Sequence, residues 1–237
     1  MFNFLVLTIL VTISFFINAD EIQLADSHGP ISIMGDHMHK KGEFMFSYRL
    51  GKMNMNNVAN GTKKIDTNSV MSSPNGASNN LGNYMNAPIS MKMNMHMFGG
   101  MYAPLDNLTF MIMTSYQEKV MTQQRMPMAG GSRFNVNSSG FGDTRISTLI
   151  NIFNNDLTKT HIGTGLSLPT GSIDQRDATP ASSNTRLGYS MQNGTGTYDV
   201  LFFLNIINKF GKLKIGEQLL YKKALSGNNS KTVSYTH

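Results

Sequence analysis

The chain has no cysteine and no tryptophan, and charged residues fill only 14% of its 237 positions. Without cysteine there is no disulfide framework, no thiolate metal knuckle and no thiol nucleophile. Charge this sparse falls well below the quarter usual in soluble domains. Past the opening segment, no run approaches the ~18 consecutive apolar residues of a membrane-spanning helix. A membrane location would therefore require a closed β-barrel, the other fold that pairs all its backbone groups. Basic residues outnumber acidic ones, for a net charge of +6. They are scattered, with only the short pairs Lys40-Lys41, Lys63-Lys64 and Lys222-Lys223. Without a basic patch interleaved with aromatics, nucleic acid is not an expected partner.

Catalytic patterns are missing too. Asp143, Asp174, Asp177 and Asp199 are scattered, with no paired-carboxylate spacing. No Gly-x-Ser-x-Gly elbow occurs. Residues 165–172 look superficially like a phosphate loop but lack its lysine. The expectation is a protein that is not an enzyme and needs no cofactor.

What is present begins with an export signal. Phe4 to Ile17 is almost wholly apolar, the length of a secretory core, and Ala19 offers a cleavage point before Asp20 and Glu21. Residues 1–19 read as a signal peptide, although no Lys or Arg precedes the apolar run. The alternative is an uncleaved anchor, and either exports the rest. Residues 20–42 then form a periplasmic N-terminal segment and 43–237 the main domain.

From there, period-2 alternation recurs, the pattern of strands with two unlike faces. Ile89, Met91, Met93, Met95 and Met97 fall on one face, opposite Ser90, Lys92, Asn94 and His96. Phe44, Phe46, Tyr48 and Leu50 oppose Met45, Ser47 and Arg49. Leu108, Phe110 and Ile112 oppose Thr109, Met111 and Met113. Ile146, Thr148 and Ile150 oppose Arg145 and Ser147, and Ile162, Thr164 and Leu166 oppose His161, Gly163 and Gly165. Residues 198–207 are apolar on both faces. In 212–222, Glu217 interrupts the apolar face of Leu213, Ile215, Leu219 and Tyr221.

Connections alternate long and short: 51–88 long, 99–107 short, 118–142 long, 154–157 short, 169–196 long, 208–211 short. Outer-membrane barrels have short periplasmic turns and longer external loops. Aromatics gather near strand ends, at Phe98, Tyr102, Tyr116, Phe153, Tyr198, Phe210 and Tyr221, as interfacial girdles would. The expected fold is all-β, an antiparallel up-and-down transmembrane β-barrel. About eight strands are visible and more are expected beyond His237. The expected location is the bacterial outer membrane, with lipid and a small-molecule solute as partners.

Two sets of side chains are candidates for function. Arg49, Lys92, His96, Arg145, His161 and Lys214 would face the lumen. Either this mostly positive lining favours anionic solutes, or the groups pair with acids from strands not in view. His28, His37 and His39, with Met34 and Met38 nearby, would supply a soft-metal site such as copper. The competing reading takes the 19 methionines as flexible apolar filler, with the Met91–Met97 row turned towards lipid.

An ordered set of motifs adds a resemblance. It comprises His37-Met38-His39, Lys41-Gly42-Glu43, Ser47-Tyr48-Arg49, the run Met91 to Met97, and Met101-Tyr102-Ala103-Pro104. It continues with Gly140-Phe141-Gly142-Asp143, Ser167 to Ser172, and Tyr189 to Thr197. Together these resemble the bacterial transporter family named after the meta-pathway of phenol degradation, with Asn193 standing where that pattern has Ser. The resemblance implies an outer-membrane barrel with a transport role for organic compounds, and the lining suggests anions, so the expected function is a channel or transporter for small anionic or aromatic organic solutes. The alternative is an exported Met/His-rich copper-binding periplasmic protein.

Overall fold

A computed structural model describes residues 35, 38–74, 82–155, 157–211, 213–225 and 227. They form mainly antiparallel strands, arranged as a curled half-barrel sheet with almost no helix. The strands are β1 (Phe44–Asn56), β2 (Val58–Asn60), β3 (Lys63–Ile65), β4 (Asn86–Leu105), β5 (Leu108–Arg125) and β6 (Arg133–Phe141). They continue with β7 (Thr144–Asn154), β8 (Thr158–Leu168), β9 (Arg176–Thr179), β10 (Ser182–Arg186), β11 (Asp199–Phe210) and β12 (Leu213–Ala224). The main sheet runs β1-β4-β5-β7-β8-β11-β12, with β6 also paired to β5. Two small hairpins, β2–β3 and β9–β10, lie outside it. The single α-helix described, α1 (Thr67–Ser72), is capped by Asp66, whose carboxylate accepts from Ser69 N at 3.0 Å.

The short connections all fall at one end of the sheet, after Leu105, Asn154 and Phe210, and the long ones at the other. One expected boundary moves. Residues 118–142 form not a long loop but the upper part of β5, a turn of 126–132, and β6. Polar side chains such as Glu118, Asn135 and Asn137 read as loop because strands are easiest to recognise when one face is greasy. β6 and β7 run in the same direction along β5, separated only by Gly142 and Asp143. They are one stave with a break in it. The expected signal peptide, residues 1–19, lies outside the described residues, as do His28 and His37.

Register divides the side chains sharply. On the convex face a row runs across all the main strands: Phe44, Tyr102, Phe110, Thr148, Thr164, Phe202 and Tyr221. Adjacent rows hold Phe46, Ile112, Ile146, Leu166 and Val200 on one side, and Leu108, Ile150, Ile162, Leu204 and Leu219 on the other. These side chains are open: Phe46 is 82% exposed and Leu219 68%. Towards the loop end the convex rows turn polar, with Lys52, Asn94, Glu118 and Ser139 side by side. Together the apolar rows make a contiguous band of exposed side chains.

The concave face is where packing occurs. Met101, Met111, Leu149 and Phe203 form one buried cluster, with Met38, Met45 and Met113 against it. Met121, Val136, Leu187 and Met191 form a second, with Met91 and Phe134. Phe203 lies directly over Gly163, where any Cβ would meet its ring, so that glycine makes room for the cluster. Each cluster packs under chain that enters the hollow: Gly35 and Met38 near the turn end, and residues 187–197 near the loop end.

Candidate functional site

Beside residues 189–195 lies a cavity of about 310 Å³. Met95, Met97 and Met113 form one wall, and Tyr189, Gln192 and Asn193 another. Lys119, Asp143, Arg145 and Lys222 bring charge to its border.

The break between β6 and β7 builds the site. It leaves Asp143 outside the ladder, and its carboxylate gathers two distant loop segments. It accepts from Gly171 N at 3.1 Å and from Thr195 N and Oγ1, both at 2.8 Å. The segments cross backbone to backbone here: a Cβ on Gly171 would stand 2.6 Å from Gly194 Cα. Only glycine on both sides permits that approach.

A second anchor holds the other end of the inward segment. Lys119, 6% exposed, donates from Nζ to Gln192 O at 2.6 Å and Ser190 O at 3.3 Å. Gln192 in turn donates through Nε2 to Leu187 O at 2.7 Å, and its Oε1 accepts from Gln175 N at 2.7 Å. The neighbouring Asn193 differs. Its amide is 6% exposed and borders the cavity, yet neither polar atom has a hydrogen-bond partner among the described residues. A buried amide in that state is poised for water or solute.

The cations of the cavity are not equivalent. Lys222 Nζ stands 2.6 Å from Asp199 Oδ2, a pair that neutralises both. Lys119 is committed to carbonyls. Arg145 lines the cavity, is solvent-exposed, and has no acidic partner among the described residues.

The six residues expected at the lumen separate into two groups. Arg49, Arg145, His161 and Lys214 share the concave face. Lys92 and His96 do not: contrary to the lumenal expectation, register places them on the convex face. Met97 stands opposite Arg49 and Ser115, so the methionine row points into the hollow and its alternating partners point out. His96 Nδ1 hydrogen-bonds Tyr48 Oη at 2.8 Å, beside Phe98. Lys92 lies beyond the apolar band, next to Val120 and Asn54. Alternation alone could not settle this, because Met, Phe and Tyr all count as apolar.

His161 is buried and grips the N-terminal segment: its Nε2 donates to Gly35 O, which also accepts from Asn205 Nδ2 at 2.9 Å. Of the three histidines considered for metal, only His39 is described, and its Nδ1 lies 3.3 Å from Glu43 Oε2. Among the described residues, no group of three or more His, Asp or Glu gathers around a possible ion.

Asp143, Lys119 and Asn193 were not candidates from sequence. A signal existed: the Gly-Asp, Pro-Thr-Gly and Gln-Asn-Gly-Thr-Gly motifs converge on this one crossing, although they are dispersed along the chain. No protein-family model matches the chain, and no curated protein matches it.

Proposed function

We propose that the chain is an outer-membrane β-barrel channel for small organic solutes, with a preference for anions. The observation that carries this reading is the division of the sheet between an exposed apolar band on its convex face and a concave face holding charge, amides and a cavity. Lipid hydrocarbon suits the first face and water the second. Aromatic pairs towards both ends of the band support it, with Phe44 stacked on Tyr102 at 4.3 Å and Tyr116 edge-on to Phe141 at 5.3 Å. The short-turn and long-loop ends match periplasmic and external sides. The motif resemblance points the same way.

The inward segment narrows the passage and places Arg145 where a carboxylate-bearing solute would meet it. Fractionation tests the location. Recovery from outer membranes only with detergent, and heat-modifiable gel mobility, are the expected results; release by osmotic shock would defeat the reading. Selectivity is tested in planar bilayers. Arg145→Glu lowers the anion/cation permeability ratio, whereas Lys92→Glu, on the other face, leaves it unchanged. An unaltered ratio in Arg145→Glu would remove the anion preference.

A further inference from the structure

The methionines of the sheet divide between its faces in a way that packing does not require. Every methionine in β1, β4 and β5 lies on the concave face. The convex band of the same strands is built instead from Phe, Tyr, Leu, Ile and Val. If methionine served only as apolar filler, nothing would keep it off the outer face, where leucine and isoleucine are used freely.

Register sharpens the observation. Met45, Met101 and Met111 are direct neighbours across three adjacent strands. Cross-strand neighbours on one face have Cβ atoms roughly 4.5–5.5 Å apart, a spacing at which flexible thioethers can turn towards one point. Met101 is 6% exposed and Met111 8%, with Met38 and Met113 packed against them. A small cavity of about 20 Å³ opens among Met45, Met97, Met101, Met111 and Met113. That is roughly the space of one water or one bare ion, and five thioethers dominate its walls beside Ser47 and Arg49.

We propose that Met45, Met101 and Met111 form a binding site for a single soft monovalent cation, Cu(I) or Ag(I). Thioether sulfur is a soft, uncharged donor, and a few such donors suit these ions while rejecting hard cations such as Mg²⁺ or Ca²⁺. The ion enters and leaves unchanged in oxidation state. Arg49 also borders the small cavity, and its charge opposes a cation there. Its three ligands do not line the solute cavity, although the two cavities share Met97 and Met113, and they are not the histidines near the chain's start. It requires the concave wall of β1, β4 and β5, not an open channel.

The test is calorimetric titration of the full chain, refolded in detergent in chloride-free buffer, with Ag(I). One saturable event is expected, lost in Met45→Leu/Met101→Leu/Met111→Leu, because leucine keeps the volume and removes the sulfur. Met53→Leu/Met55→Leu keeps the event, and Arg49→Gln tightens it. Absence of saturable binding, or unchanged binding in the triple variant, overturns the proposal. Should the triple variant not refold, X-ray absorption of the Cu(I)-loaded wild-type chain decides: a sulfur-only shell supports the site, and a nitrogen-containing shell assigns the ion to histidine and overturns it.

Discussion

Asp143 does the work of a clasp at the scale of one residue. Three donors from two loop segments meet its carboxylate, and charged hydrogen bonds of this kind are worth more than neutral ones. Asp143→Asn replaces one acceptor oxygen by a donor facing other donors. The expected cost is about 2 kcal/mol, read as a lower urea midpoint in detergent, together with larger single-channel conductance as the inward segment comes loose. Gly194→Ala should give the same two changes, because its Cβ would strike the Gly171 carbonyl. These residues were hard to read from sequence for a plain reason. An aspartate between two strands is ordinary turn chemistry, and its partners lie 28 and 52 positions away. The methionine row was misjudged for the opposite reason: its alternation was plain, but its facing depended on which residues stood across from it on β1 and β5.

Elements tell a second part of the story. The alternating segments around Phe44, Leu108, Arg145 and His161 fall within β1, β5, β7 and β8, and their in-out assignment agrees with the register. Period 2 is a local property, so sequence carries it. What sequence does not carry is where a strand stops once it rises past the greasy band, which is why β5 runs beyond its expected end and β6 lies where a loop is expected. That overhang is buttressed by the β9–β10 hairpin. Asp177 accepts from Asn137 N at 2.7 Å, tying β9 to the outer edge of β6. The Asn137 backbone N–H is the main cause holding the Asp177 carboxyl below its ordinary value of 3.8. A depressed carboxyl contributes stability that is complete above the ordinary value and lost as pH falls through the folded one. Amide exchange at Asn137 should therefore be flat above about pH 5, after allowance for intrinsic rates, and accelerate only below the ordinary carboxyl value. Acceleration beginning near neutrality would contradict the tie.

At the scale of the whole molecule the convex band makes the most demanding prediction. Phe46 on β1 and Ile112 on β5 flank Gly100 of β4 near the middle of the band. Lysine at either position should cost roughly 2–4 kcal/mol of folding into vesicles, as expected near a bilayer midplane. Asn94→Lys, on a row that already holds Lys52, should cost almost nothing. Equal effects at the two places would mean that the band does not meet lipid.

The contact between Gly35 and the far strands has a mechanical consequence. A curved sheet bonded only along its own surface can flatten cheaply, because the ladder bonds tolerate wide variation in twist. Here Gly35, which precedes the first stave in sequence, is gripped by His161 and Asn205 on two staves well around the arc. The arc is thereby given a fixed chord. Its radius is set by a tether spanning 170 residues of sequence rather than by the pairing of neighbours, so cutting that tether should widen the hollow without unzipping a single strand.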